Sequence, residues 1–242
     1  MPGLLALVGG DEFKPGNEQQ DGMMVAAAGP GTAYVVPTAA ARQGHEQAVA
    51  NATRWFAGLG LRLSELPVLR RGDAANAELA EAARAGGFFY LVGGDPGHVA
   101  EVLRGSAVWR AMFDAWRGGA VLAGSSAGSM ALCSQTLVRA TWPNRFRRRP
   151  LDALGVVPKT AVLPHFETFG NRWIESAHQA APALTLLGID ERSAAVWEPA
   201  GSRWLAVGPG GVTVIRGEKA RRFESGSEVP GLRQPARMLP KQ

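Results

Sequence analysis

The sequence predicts an α/β fold, a three-layer sandwich around a mostly parallel central sheet, with antiparallel strands added near the C-terminus. Three observations carry this. Short apolar runs free of charge alternate with amphipathic stretches along the first half of the chain. Those runs are rich in Val, Leu and Ala, the composition of strands buried on both faces of a sheet. After about Leu184 the pattern changes to short strands separated by Gly and Pro, which predicts hairpins that extend or cap the sheet.

In chain order, Leu4 to Val8 is predicted as the first buried strand and Ala33 to Val36 as the second. A helix is expected from about His45 to Ala57, where apolar residues recur at helical spacing. Leu61 to Leu66 is the third strand, followed by a helix near Ala74 to Arg84. Phe88 to Val92 is the fourth, running into Gly93-Gly94-Asp95-Pro96 and a short helix. Val108 to Trp116 is a further helix. Ala120 to Ala123 is the fifth strand, and a helix opens near Ser126. Thr160 to Leu163, Ala194 to Trp197, Trp204 to Val207 and Val212 to Ile215 are later strands, and Ile174 to Ala181 a helix. The 242 residues fit one domain over residues 1–226. Residues 227–242 form a basic, Pro-containing tail expected to be poorly ordered.

Composition narrows the function classes. One cysteine, Cys133, excludes an internal disulfide and makes a reducing cytoplasm the default compartment. No apolar run is long enough to span a bilayer, and the N-terminal apolar stretch lacks the basic flank of a signal peptide. The net charge of +5 owes much to Arg145, Arg147, Arg148, Arg149 and the tail. Without a zinc-finger spacing or a base-stacking motif, it does not indicate nucleic acid. No metal-ligand spacing and no phosphate loop occur, so no metal and no cofactor are expected. Nothing in the sequence sets the oligomeric state; small α/β enzymes are often symmetric dimers, which leaves a homodimer open.

Gly9-Gly10-Asp11-Glu12-Phe13 spells the signature of diguanylate cyclases. Here it follows a single strand, with nothing before it to build a nucleotide site, so it reads as a loop. Loops at the carboxyl ends of parallel strands line sites in this architecture, which puts Asp11 and Glu12 within reach of a pocket.

Gly124-Ser125-Ser126-Ala127-Gly128 has an apolar strand running in and a helix running out. That is the context of a nucleophile elbow, with Ser126 at the strained point. The helix start offers free N–H groups to a developing oxyanion, Ala127 first among them. Gly94, after the fourth strand, is the natural second donor. Gly93 and Asp95 beside it are candidate substrate contacts. Serine needs a base. Of four histidines, His165 alone ends a strand downstream of the elbow, in Leu163-Pro164-His165-Phe166-Glu167. Glu167 is the favoured acid, because residues i and i+2 of an extended segment point to the same side. Asp152, Asp190 and Glu191 remain alternatives.

The elbow, the upstream Gly-Gly-Asp, Asp152-Ala153-Leu154-Gly155 and Pro164-His165-Phe166 together resemble the dipeptidase E and cyanophycinase family of serine peptidases, over about residues 4 to 216. Gly188-Ile189-Asp190-Glu191 is similar to that family's segment before its late strands. The resemblance implies a flavodoxin-like, class I glutamine amidotransferase-like fold in which serine replaces that class's cysteine. It also implies a Ser126–His165 pair and cleavage of small or acidic peptides. Leu163 and Pro164 stand where cyanophycinases carry an Asp-Gln pair, Pro96 where that branch has Gln, and only Arg172 follows the histidine closely. Arg172 is therefore the candidate substrate grip, and cyanophycin is not the expected substrate. The expectation is a serine-type peptidase or amidase that cleaves a short peptide through an acyl-enzyme on Ser126, with an acidic peptide as one candidate substrate. A non-catalytic binding module on the same fold and a small esterase are the alternatives.

Overall fold

The computed structural model describes residues 1–140 and 147–239. Arg145 therefore lies outside the described residues. Five parallel strands form the middle and one side of a seven-stranded sheet. They are β1 (Leu5–Val8), β2 (Thr32–Val36), β3 (Leu63–Glu65), β4 (Gly86–Leu91) and β5 (Val121–Ser125). Two antiparallel strands, β10 (Ala194–Glu198) and β11 (Arg203–Val207), complete the order β11-β10-β1-β5-β4-β2-β3.

Period-two alternation sends successive side chains of each strand into different layers. Leu5, Leu7, Phe89, Leu91 and Leu122 belong to one core. Leu4, Ala6, Val8, Phe88, Tyr90, Val121 and Ala123 belong to the other. Both faces need covers. The second core is closed by α1 (Glu18–Ala26) and α2 (His45–Gly58), which bury Met24 and Phe56. The first takes α4 (Ala77–Arg84), α5 (Pro96–Leu103), α6 (Ala107–Arg117) and α7 (Ala127–Leu132), joined by the one-turn α3 (Arg71–Ala74). Helix α6 shows why such segments are helical. Its apolar residues Val108, Trp109, Met112, Phe113 and Trp116 fall on one buried face, and Ser106 caps it by accepting from the Trp109 N–H at 3.0 Å.

The C-terminal strands divide in two. The β10–β11 hairpin extends the main sheet, as expected. By contrast, β12 (Gly211–Arg216) and β13 (Lys219–Glu224) join β9 (Thr185–Ile189) and β8 (Thr160–Leu163) in a separate sheet of order β13-β12-β9-β8. In it β8 and β9 run parallel, with Leu163 opposite Gly188. A two-stranded ribbon, β6 (Gln135–Arg139) with β7 (Arg148–Asp152), stands over the elbow helix, and α8 (Ile174–Ala180) packs beside β7.

The tail after Gly226, expected to be poorly ordered, lies against the body as far as residue 239. Val229 is buried and donates its N–H to the Trp204 carbonyl, Trp204 Nε1 donates to the Arg233 carbonyl, and the Ala236 N–H donates to the Val156 carbonyl. Spaced apolar residues, Val229, Leu232 and Leu239, are what anchor it.

Candidate active site

The carboxyl ends of β1, β4 and β5 meet the carboxyl ends of β8 and β9 at one seam, and Ser126, His165, Gly94 and Ala127 gather there. Ser126 follows β5 directly. Its backbone is held at φ 48°, ψ −109°, outside the regions that L-residues populate freely. Close packing enforces the bend: a Cβ on Gly128 would overlap the Leu91 carbonyl of β4. The Ser126 N–H donates to the Val8 carbonyl, and Ser129 Oγ donates to the Ser126 and Val8 carbonyls. The elbow is thus pinned to β1 as well.

His165 ends β8, also at positive φ (48°). Its Nε2 lies 3.2 Å from Ser126 Oγ, and its Nδ1 lies 2.7 Å from Glu191 Oε1. A carboxylate at Nδ1 fixes the proton there, which leaves Nε2 as an acceptor facing the serine hydroxyl. Phe169 stacks on the imidazole at 4.8 Å. The serine, the ring and the carboxylate stand in the order of a nucleophile, a base and the acid that orients the base.

The acid is a correction. Glu167, favoured on the assumption of an extended segment, does not reach the ring. The chain turns at once after His165: the N–H groups of Thr168, Phe169 and Gly170 all donate to the His165 carbonyl. In a turn, residues i and i+2 no longer share a side. The Glu167 carboxylate instead accepts from the Glu191 N–H at 3.0 and 3.1 Å. It supports the loop carrying the residue that took its expected place. Burial, and then the neighbouring Asp190, raise the Glu167 carboxyl above its ordinary value. Asp190 is itself buried; it holds Arg222 at 2.6 Å and accepts from the Gly211 N–H, which ties the Glu191 loop to the second sheet.

Gly94 and Ala127 line the same cavity as Ser126. Neither N–H has a protein acceptor among the described residues, so both are available to an oxyanion. Gly93 does not line the cavity; its N–H is taken by Glu12 Oε1 at 2.9 Å. Asp95 does line it, but its Oδ1 caps α5 by accepting from the Gly97 and His98 N–H groups. Arg172 is a second correction. The 3₁₀ turn Gly170–Trp173 points Trp173 inward and leaves Arg172 exposed, outside the cavity wall.

Other arginines take that place. The cavity holds about 950 Å³, and Arg42, Arg104, Arg139, Arg148 and Arg149 line it together with Asp95, Glu101 and Asp152. The Arg148 guanidinium lies over the Trp173 ring, 3.9 Å from its centroid. Burial, and then the nearby Arg139, hold Arg148 below its ordinary value. Its charge is thus incompletely compensated, and an anion in the cavity would relieve it. Sequence reasoning finds the arginine segment but not its position, because the charged β6–β7 ribbon carries no apolar alternation.

Asp11 and Glu12 face the seam as well. Asp11 pairs with Lys14 and, at 2.8 Å, with Arg192, and these partners lower its carboxyl. Among the described residues no cluster of three or more potential metal ligands occurs, and no helix is long and apolar enough to cross a membrane.

The profile of peptidase family S51 matches residues 4–201. The chain belongs to peptidase family S51. Two relatives, cyanophycinases of Synechococcus elongatus and of Thermosynechococcus vestitus (strain NIES-2133 / IAM M-273 / BP-1), are each 31% identical over 171 residues. The match covers 66% of this chain and 51% of theirs, so the chain spans about half the length of these curated relatives. Among solved structures, a peptidase from an acI-B1 Actinobacterium superposes with a TM-score of 0.82 at 29% identity, covering 95% of this chain and 97% of that one. A putative peptidase E protein from Listeria monocytogenes EGD-e gives 0.55 at 16% identity, over 93% and 99% of the chains, and supports the fold alone. The S51 match spans β1 to the end of β10, which takes in the elbow, His165 and Glu191.

Proposed function

We propose that this S51 chain is a serine-type peptidase or amidase that cleaves short acidic peptides through an acyl-enzyme on Ser126. The observation that carries the proposal is the single line of contacts from Ser126 Oγ through His165 to Glu191. In the first half-reaction Ser126 Oγ attacks the scissile carbonyl carbon while its proton passes to His165 Nε2. The Gly94 and Ala127 N–H groups receive the negative oxygen. The C–N bond then breaks, and the imidazolium returns the proton to the leaving amine. In the second, His165 takes a proton from water, the hydroxide attacks the ester carbon, and Ser126 leaves with that proton. Glu191, at 2.7 Å from Nδ1, holds the ring in the required tautomer.

The acidic preference rests on the arginines of the cavity wall. Guanidinium groups grip carboxylates in paired contacts, and Arg148, half-buried on Trp173, is the one placed to gain most. A binding module without chemistry is attractive only while the acid behind His165 has no candidate. Glu191 supplies one.

The test is a dipeptide library incubated with wild type and with Ser126→Ala, together with a fluorophosphonate probe. Cleavage confined to wild type and to acidic members, with the probe on Ser126, is expected. Folded wild-type protein that neither cleaves nor labels would sink the proposal.

A further inference from the structure

Glu12 belongs to none of the groups so far given a chemical task, yet it touches both sides of the oxyanion pocket. Its Oε1 accepts from the Gly93 N–H at 2.9 Å, and its Oε2 accepts from Ser125 Oγ at 2.8 Å. Ser125 immediately precedes the nucleophile on β5. Gly93 immediately precedes Gly94, which lines the cavity and whose N–H has no protein acceptor among the described residues. One carboxylate therefore bridges the loop after β4 to the last residue of β5.

The bridge has a rigid base. Asp11 and Phe13, on either side of Glu12, both hold positive φ (56° and 61°). Asp11 is fixed by Arg192 at 2.8 Å, and Phe13 packs on Tyr90 and Phe56 at 5.3 and 6.2 Å between ring centroids. The spanned loop, by contrast, contains two successive glycines, and a Gly-Gly peptide turns over at little steric cost. The Gly93 N–H has no protein acceptor but Glu12 among the described residues. Without the carboxylate, that N–H loses the bond that fixes its direction.

We infer that Glu12 is a positioning residue: its carboxylate sets the spacing and direction of the Gly94 N–H relative to Ser126, and so builds the oxyanion pocket. The inference rests on the serine-hydrolase reading above. The role is geometric. A negative charge beside an oxyanion is itself unfavourable, so a neutral side chain of the same length should serve. In the Glu12→Gln variant, the new amide oxygen would accept from the Gly93 N–H, and the amide nitrogen would donate to Ser125 Oγ. Glu12→Asp is one methylene too short to span both partners.

The experiment measures the second-order rate of fluorophosphonate labelling, whose phosphonyl oxygen must occupy the oxyanion pocket, on wild type, Glu12→Ala, Glu12→Asp and Glu12→Gln. Rates are expressed per folded molecule from circular dichroism, and Tm is recorded. Labelling of Glu12→Ala and Glu12→Asp is expected to slow by about 10- to 100-fold, approaching the loss of one oxyanion donor. Glu12→Gln should stay within about threefold of wild type, as the retained pair of hydrogen bonds requires. On a cleaved dipeptide the loss should fall on kcat, with KM nearly unchanged. Should Glu12→Ala not fold, Glu12→Asp carries the same comparison. A lowered Tm with an unchanged rate per folded molecule would assign Glu12 to stability and overturn the inference. Glu12→Gln as slow as Glu12→Ala would overturn it too, by making charge rather than geometry decisive. A wild type that does not label would bring down the hydrolase reading and this inference with it, and that result differs visibly from the other two.

Discussion

Asp21 sits on α1 with its side chain fully buried, accepting from Trp55 Nε1 at 2.7 Å through Oδ2. Its Oδ1 is buried with no partner among the described residues. Burial raises its carboxyl from 3.8 to about 7, with the Trp55 bond opposing and the charges of Glu12 and Glu18 assisting. The folded protein therefore keeps a proton that the unfolded chain has lost between about pH 4 and pH 7. Stability falls as pH rises through that window and levels off above it. At one unit per 1.36 kcal/mol, the full effect is about 4 kcal/mol at pH 8 and about 1.7 kcal/mol at pH 5. Asp21→Asn cannot ionise. It keeps an oxygen for Trp55 but buries an amide whose donors need acceptors, a cost of about 1–3 kcal/mol that does not vary with pH. The mutant should thus gain about 2.5 kcal/mol relative to wild type between pH 5 and pH 8, whatever its offset at either end. For a domain of this size that is roughly 5–10 °C in relative Tm. Thermal or urea unfolding of both proteins across the pH range measures it. A difference between the two that stays flat from pH 5 to pH 8 would refute the reasoning, because it would mean that Asp21 titrates alike folded and unfolded.

The remaining predictions concern the site and its surroundings. Glu191→Gln should lower kcat by about 10²- to 10⁴-fold, the scale for losing the acid behind a catalytic imidazole. Glu167→Gln should cost less than about tenfold, since it acts only through the Glu191 backbone; steady-state kinetics of the pair decides between the two acids. Arg148→Ala should raise KM for acidic peptides by about 10- to 100-fold, the worth of a charge-assisted contact, and leave neutral peptides little changed, as KM on matched substrates will show. Gly10→Ala should abolish labelling of Ser126 while the protein still folds, because its Cβ would overlap the His165 ring. Burial pushes the Cys133 thiol well up, so iodoacetamide should leave it unmodified until the protein unfolds, which mass spectrometry can follow.

Elements whose apolar pattern is uninterrupted are legible in the sequence. Thr160 to Leu163 is a strand with those same bounds, and the helices from His45 and around Val108 to Trp116 differ from expectation by a residue or so. Helix α1 is not legible, because its buried face includes Gln20 and Asp21 beside Met24; polar residues there erase the apolar period. Strand β7 is hidden for a related reason: Arg148-Arg149-Pro150-Leu151-Asp152 is too charged to look like a strand. At the site, Ser126, His165, Gly94 and Ala127 follow from local context and do come together. Glu191 is only one alternative at the level of sequence, since its place depends on a pairing between strands. The usable signal is the apolar run Thr185–Ile189 ending in Asp190-Glu191. Paired in parallel with β8, it brings an acid to the same strand end as His165.

That pairing also explains the opening glycines. The seam between the two sheets is stitched by backbone bonds. The Gly9 N–H donates to the Ser193 carbonyl, the His165 N–H to the Gly9 carbonyl, and the Arg192 N–H to the Gly10 carbonyl. For these bonds to form, β1 must end close against the Glu191 loop and against the imidazole. A Cβ on Gly9 would overlap the Asp190 carbonyl, and one on Gly10 would overlap the His165 ring. Two adjacent glycines are thus required where the end of β1 meets the His165 ring and the Glu191 loop. Asp11 then holds Arg192, and Glu12 reaches across to Gly93 and Ser125. The five residues that spell a nucleotide-cyclase signature are here the joint that holds a serine from one sheet against a histidine and a glutamate from the other.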